Sequence, residues 1–105
     1  PSHLCVHPDY GPWFALRGVL LLPRCGPTES LPISREPCAS CSRPCLPALQ
    51  AAVAAGGATH EGLIANWRLW LAVRDACPVG KAHRYSEPAI RYFYSRQSQA
   101  LDDFG

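Results

Sequence analysis

Four cysteines carry the most suggestive chemistry: Cys38, Cys41 and Cys45, with two and then three residues between them, and Cys77-Pro78 beyond an apolar segment. Thiolates at such spacing can converge on one soft metal centre, and a Cys-Pro pair is a common end to an iron–sulfur run. Three readings follow. A 4Fe-4S cluster takes four thiolates and tolerates uneven spacing. Structural zinc also takes four, but usually as two close pairs, and only one such pair is present. The third reading is of unmetallated thiols, with Cys77 buried. Cys25, in Arg24-Cys25-Gly26, is a spare ligand or a free loop thiol, and Cys5 reads as a small buried hydrophobe in a strand.

Two arginines stand in apolar surroundings. Arg17 interrupts an aliphatic run, and Arg74 lies four residues after Trp70, near an aromatic helix stripe. A charge so placed needs a partner. The pair could clamp the carboxylates of a small anion by forked hydrogen bonds, or be used internally by Asp9, Asp75 or Glu87. His3, Cys5, His7 and Asp9 alternate and could share one strand face, as a metal site or as ordinary surface residues. His60 and His83 have weaker cases, and no Ser–His–Asp or Cys–His arrangement for hydrolysis stands out.

These residues need elements to hold them. Leu4 to Val6 is a short β-prone stretch, Asp9-Tyr10-Gly11-Pro12 has turn chemistry, and Trp13 to Leu22 reads as a strand with apolar residues at consecutive positions. Together they predict an antiparallel strand pair over 1–23. Residues 24–47 form a Pro- and Cys-rich loop, since prolines at 23, 27, 32, 37, 44 and 47 exclude a regular helix or a central strand across most of it. The remainder, 48–105, is helical. One helix runs from Pro47 to Ala55 and stops at Gly56-Gly57. A second runs from about His60 to Ala76, capped by Thr59 and carrying Leu63, Trp67, Trp70 and Leu71 on one stripe. A third runs from Glu87 to about Gln99, with Ile90, Phe93 and Tyr94 on one face. A hairpin through Gly56-Gly57 would return Cys77 toward the cysteine loop.

At 105 residues the chain has room for one small domain or part of a larger one, and 1–105 reads as a single partial domain. It opens Pro-Ser-His and has no methionine, so it reads as a piece of a longer protein with its start upstream. No signal peptide is visible, and the longest apolar run, Gly18 to Leu22, is too short to span a bilayer. Six cysteines without a secretory context point to reduced thiols in a cytoplasmic protein. The net charge of +2 comes from scattered basic residues, which argues against a nucleic-acid partner.

Two segments resemble a known family. His3-Leu-Cys-Val-His-Pro-Asp-Tyr-Gly-Pro-Trp-Phe-Ala-Leu-Arg-Gly-Val-Leu-Leu-Leu-Pro23 resembles a stretch of the cobalamin-processing family of methylmalonic aciduria and homocystinuria type C. Asn66-Trp-Arg-Leu-Trp-Leu-Ala-Val-Arg-Asp-Ala76, Arg84-Tyr-Ser-Glu87 and Tyr92-Phe93 resemble its later helices in the same order. The resemblance implies the C-terminal part of a flavin-reductase or nitroreductase-like α+β fold. It also implies base-off binding of cobalamin and removal of its upper ligand by reductive decyanation or glutathione-dependent dealkylation, with flavin or glutathione as the accompanying cofactor and a homodimer as one assembly. Arg17 and Arg74 match glutathione-binding arginines of that family, and Arg96 is a loose candidate for a third. Trp13, Trp70 and Tyr85 are then candidates for a corrinoid wall, alongside a plain core role.

The middle differs. Pro37-Cys-Ala-Ser-Cys-Ser-Arg-Pro-Cys-Leu-Pro-Ala48 and Ala76-Cys-Pro-Val-Gly80 look like bacterial ferredoxin-like proteins, with distant similarity to reductive corrinoid enzymes such as epoxyqueuosine reductase. The usual run has a further cysteine four residues after Cys45, where this chain has Leu49, so Cys77 must replace it. The reading is therefore a cobalamin-processing oxidoreductase in which Cys38, Cys41, Cys45 and Cys77 hold a 4Fe-4S cluster that could supply electrons in place of glutathione or a redox partner. Its alternatives are a ferredoxin-like electron carrier without a corrinoid, and a structural zinc module.

Overall fold

Helix α1 spans Cys45–Gly56, α2 His60–Ala65, α3 Trp67–Asp75 and α4 Glu87–Ser95, with one 3-10 turn at Lys81–His83 before α4. The computed structural model describes residues 4–27, 36–97, 99 and 102.

The expected helix ends are set by local chemistry. Gly57, at φ 68°, closes α1 and donates its N–H to the Val53 carbonyl, a conformation glycine adopts without the Cβ penalty. The Thr59 hydroxyl accepts the Gly62 N–H at 3.1 Å and caps α2. Pro88 sits in the first turn of α4 as expected, but that helix stops at Ser95, short of the expected Gln99, because Arg96 takes the left-handed region at φ 59°. α1 starts at Cys45, two residues earlier than the sequence predicts, so Cys45 belongs to a helix and not to the loop.

The expected single helix from His60 to Ala76 is two helices. The chain bends at Asn66 (φ −114°, ψ 31°), whose N–H donates to the Gly62 carbonyl. Crowding at the α1 end accounts for the bend: Gly56 backs onto the Asn66 amide, and Gly62 lies against the Gly56 carbonyl. The end of α1 thus abuts the start of α3, and the two pack as an antiparallel pair. Trp67, Leu71 and Arg74 share one face of α3, at the i, i+4, i+7 spacing of a helix. Leu71 meets Ile90 of α4 and Trp13 of the N-terminal segment in a buried cluster, with Trp67, Tyr85 and Tyr94 packed against it.

The strand pair is not formed. Among the described residues there is no strand, only one isolated antiparallel bridge between His7 and Gly11, with reciprocal backbone hydrogen bonds of 2.8 and 2.9 Å. The described architecture is helical, without the antiparallel pair or the nitroreductase-like α+β fold that the resemblance implied. An isolated pair is marginal in water without a third strand or a covering helix. Leu16, Val19, Leu20, Leu21 and Leu22 are 86, 87, 90, 93 and 74% exposed, so no described element covers this stretch.

The N-terminal segment is anchored instead by backbone contact. Gly11 (φ 61°) and Gly80 (φ 69°) let two loops touch: a Cβ on Gly11 would lie 1.9 Å from the Val79 oxygen, and one on Gly80 2.2 Å from the Tyr10 carbonyl carbon. Trp13 then drops into the core. No helix among the described residues is long and apolar enough to cross a membrane.

Candidate functional site

A hollow of about 410 Å³ opens between the segment after Trp13, the end of α3 and the outer face of α4. The size suits a small molecule. Arg17, Arg74 and Arg96 reach it from three different elements, and Tyr85, Tyr92 and Phe93 supply much of the remaining wall. The Arg17 guanidinium stands 5.7 Å from the centre of the Phe93 ring, and that of Arg74 5.8 Å from the Tyr94 ring. Such stacking holds a cation in place while leaving its N–H edge free to donate.

Asp75 and Glu87, two of the carboxylates that could have neutralised these arginines, are engaged elsewhere. Asp75 pairs with Arg84 at 2.6 Å, while Glu87 takes Arg68 at 2.9 Å and Arg84 at 3.7 Å. The carboxylate of Asp75, acting first by hydrogen bond and then by charge, holds Arg84 more firmly protonated than usual. Among the described residues Arg17, Arg74 and Arg96 have no ion-pair partner. Burial pushes the Tyr94 hydroxyl above the ordinary phenol value, while the charge of Arg74 pulls the other way. Tyr94 is therefore a neutral hydroxyl at physiological pH. The hollow presents three cations and a set of aromatic faces, an arrangement suited to an anion with an apolar portion.

Three residues were candidates for a corrinoid wall. Trp13 is 4% exposed and belongs to the core, where Tyr85 packs edge-on against it at 5.6 Å. Tyr85 does line the hollow. Trp70 is half-buried, and its Nε1 is buried without a hydrogen-bond partner among the described residues. Phe14 and Ala15 also line the hollow without having been singled out, because their position follows from the Gly11–Gly80 crossing and not from any motif.

The four cysteines do not gather. Among the described residues no group of three or more His, Cys, Asp or Glu is placed to hold a metal. The hairpin does bring the α3 end back: Cys45 lies eleven residues before Gly56 and Cys77 eleven after Asn66, hence at the same end of the pair. Among the described residues no third donor joins them. Cys77 is 8% exposed, while Cys38 is exposed in a turn of its own. The donor set therefore fits neither a 4Fe-4S cluster nor a four-thiolate zinc site. Cys5 is exposed, not buried in a strand. His3 lies outside the described residues. The His7 Nδ1 accepts the backbone N–H groups of Asp9 and Tyr10 at 3.0 and 3.2 Å, which makes it a turn-forming residue.

Comparison with known proteins gives one family. The model of the methylmalonic aciduria and homocystinuria type C family matches residues 2–102. The chain is 37% identical over 100 residues to the human protein named cyanocobalamin reductase / alkylcobalamin dealkylase, covering 95% of this chain and 30% of that protein. It is 38% identical over 99 residues to the mouse protein of the same name (93% and 30%), and 33% identical over 103 residues to the bovine one (93% and 30%). The chain thus spans under a third of the length of these relatives. No solved structure matches it.

Proposed function

Because the chain belongs to the methylmalonic aciduria and homocystinuria type C family, we propose that it serves a cobalamin-processing oxidoreductase that removes the upper axial ligand of its corrinoid substrate. Within that activity its own contribution is the arginine-lined hollow, which takes an anionic thiol co-substrate of the glutathione type. The observation that carries this reading is that three arginines without ion-pair partners among the described residues share one aromatic wall.

Arg17 and Arg74 hold carboxylates through charge-assisted forked hydrogen bonds, and the neutral Tyr94 hydroxyl offers a further donor. The rings of Tyr85 and Phe93 keep the ligand's apolar portion dry. A ligand fixed by its carboxylates presents its thiol outward, free to act on a corrinoid docked beside the hollow. At about 410 Å³ the hollow matches the co-substrate better than a whole corrinoid. No step is assigned to an iron–sulfur cluster, because the cysteines do not assemble one, and none to flavin.

Arg17→Ala and Arg74→Ala test the reading in the full chain. Each removes a charged hydrogen bond of about 1.5–3 kcal/mol, so the Kd for glutathione should rise about tenfold or more. The spectral change on adding cobalamin should persist. Unchanged glutathione affinity in the double variant would remove the co-substrate role. Absence of any cobalamin spectral change in the unmodified chain would remove the corrinoid role.

A further inference from the structure

Cys38 and Cys41 have no part in the arginine hollow, yet they stand in a geometry with its own chemistry. Residues Cys38-Ala39-Ser40-Cys41 form a turn in which the Cys41 N–H donates to the Cys38 carbonyl at 3.3 Å. A turn of this kind holds its end Cα atoms within about 7 Å, overlapping the separation of about 4.4–6.8 Å that a disulfide spans. The preceding turn, closed by the Ala39 N–H on the Glu36 carbonyl at 3.2 Å, fixes the approach to Cys38. Arg43 adopts φ 59°, rare for a residue with a side chain, and its N–H donates to the Cys41 Sγ at 3.3 Å. One sulfur is thus oriented by a backbone donor, while the other is exposed on the wall of a second hollow of about 380 Å³, beside Leu4, Val6 and Arg43.

We propose that Cys38 and Cys41 form a thiol–disulfide exchange site whose substrates are small-molecule disulfides bound at the Leu4–Val6–Arg43 hollow. The Cys38 thiolate attacks one sulfur of the substrate, the S–S bond breaks, and the first thiol leaves with a proton from solvent. The Cys41 sulfur then attacks the Cys38 Sγ, releasing the second thiol and closing the Cys38–Cys41 disulfide. One disulfide is reduced to two thiols while two protein thiols become one disulfide, so two electrons and two protons are transferred. The reaction runs backward with a thiol reductant. The Arg43 N–H assists the reverse direction, in which Cys41 departs as the leaving sulfur and carries the developing charge. This activity does not depend on the corrinoid reading, because neither cysteine touches the arginine hollow.

The test treats the full chain with glutathione disulfide as the probe, stops the reaction by alkylation, and maps the products by mass spectrometry. The expected product has lost about 2 Da through a Cys38–Cys41 bond. Cys41→Ser should instead trap glutathione on Cys38, about tenfold faster than on the exposed thiols Cys5 and Cys25, a preference that should vanish in urea. Retention of the rapid trapping in a Cys45→Ser, Cys77→Ser background would support the assignment further. Trapping on Cys38 no faster than on Cys5 and Cys25 would overturn the proposal. So would a disulfide mapped to Cys45–Cys77, or stoichiometric zinc or iron in anaerobically prepared protein that blocks oxidation until chelated.

Discussion

Gly11 and Gly80 show how much one missing Cβ can carry. Each has positive φ, and each meets backbone of the opposite loop, which cannot rotate away as a side chain could. Gly11→Ala and Gly80→Ala should each destabilise the chain by roughly 2–4 kcal/mol, summing left-handed strain and overpacking. Gly18→Ala, with open space around it, should stay within about 0.5 kcal/mol of the parent. Thermal unfolding followed by circular dichroism reads all three, and equal midpoints would deny the loop crossing. Tyr94 makes a second prediction at this scale. Its folded-state pKa is raised above the ordinary 10.0, chiefly by burial. The folded state thus holds the phenolic proton more tightly than the unfolded one. Tyr94 contributes stability that is full below the unfolded value and lost as pH climbs through the folded one. Stability should therefore fall above pH 10.0, and Tyr94→Phe should make that fall shallower. Absorbance titration should show a tyrosine component ionising above pH 10.0 that is missing from Tyr94→Phe; identical curves below and above that pH would contradict the burial of Tyr94.

Among the helices, Gly62 sets two effects against each other. Alanine is the better helix former by about 1 kcal/mol. A Cβ here, however, would lie 2.4 Å from the Gly56 carbonyl oxygen and 3.0 Å from both the Gly57 oxygen and the Thr59 hydroxyl. The clash should win, so Gly62→Ala should lower the urea midpoint with a net loss of roughly 1–3 kcal/mol; a stabilised variant would mean that α2 does not cross the end of α1. This same contact explains what was legible in the sequence. The stop at Gly56-Gly57, the Thr59 cap and the start of α4 depend on residues within one turn, so local chemistry reveals them. The bend at Asn66 answers a carbonyl of another helix, and no periodicity in 60–76 records it. The segment Trp13–Leu22 has the composition of a strand, but a strand also requires a partner edge. Among the cysteines, spacing limited Cys38 and Cys41 to within about 10 Å of each other, and the structure closes that stretch into a turn. Spacing could not show that Cys77 ends beneath the surface while Cys38 stays outside. Arg17 and Arg74 drew notice as charges inside apolar sequence, although Arg17 is exposed; that both line one hollow with Arg96 required α4 to be placed.

For the molecule as a whole, the decisive feature is an apolar stretch that the helices leave uncovered. Its residues at 16 and 19–22 are almost fully exposed, and among the described residues 14–27 make no backbone–backbone hydrogen bond. The radius of gyration of 16.6 Å exceeds the roughly 13 Å of a compact domain of this length. Contiguous exposed aliphatic residues with unpaired backbone associate in water, by apolar burial and by strand pairing. The isolated chain should therefore bind a hydrophobic dye and scatter more light as its concentration rises. Val19→Lys combined with Leu21→Glu should suppress both, because it adds charge to the run and removes two of its aliphatic side chains. The helical signal and the melting midpoint should hold, since these exposed side chains lie outside the buried cluster around Trp13, Leu71 and Ile90. Loss of helix in that double variant would place the run inside the folding unit. An unchanged scattering profile would mean that the chain's contacts with itself arise elsewhere.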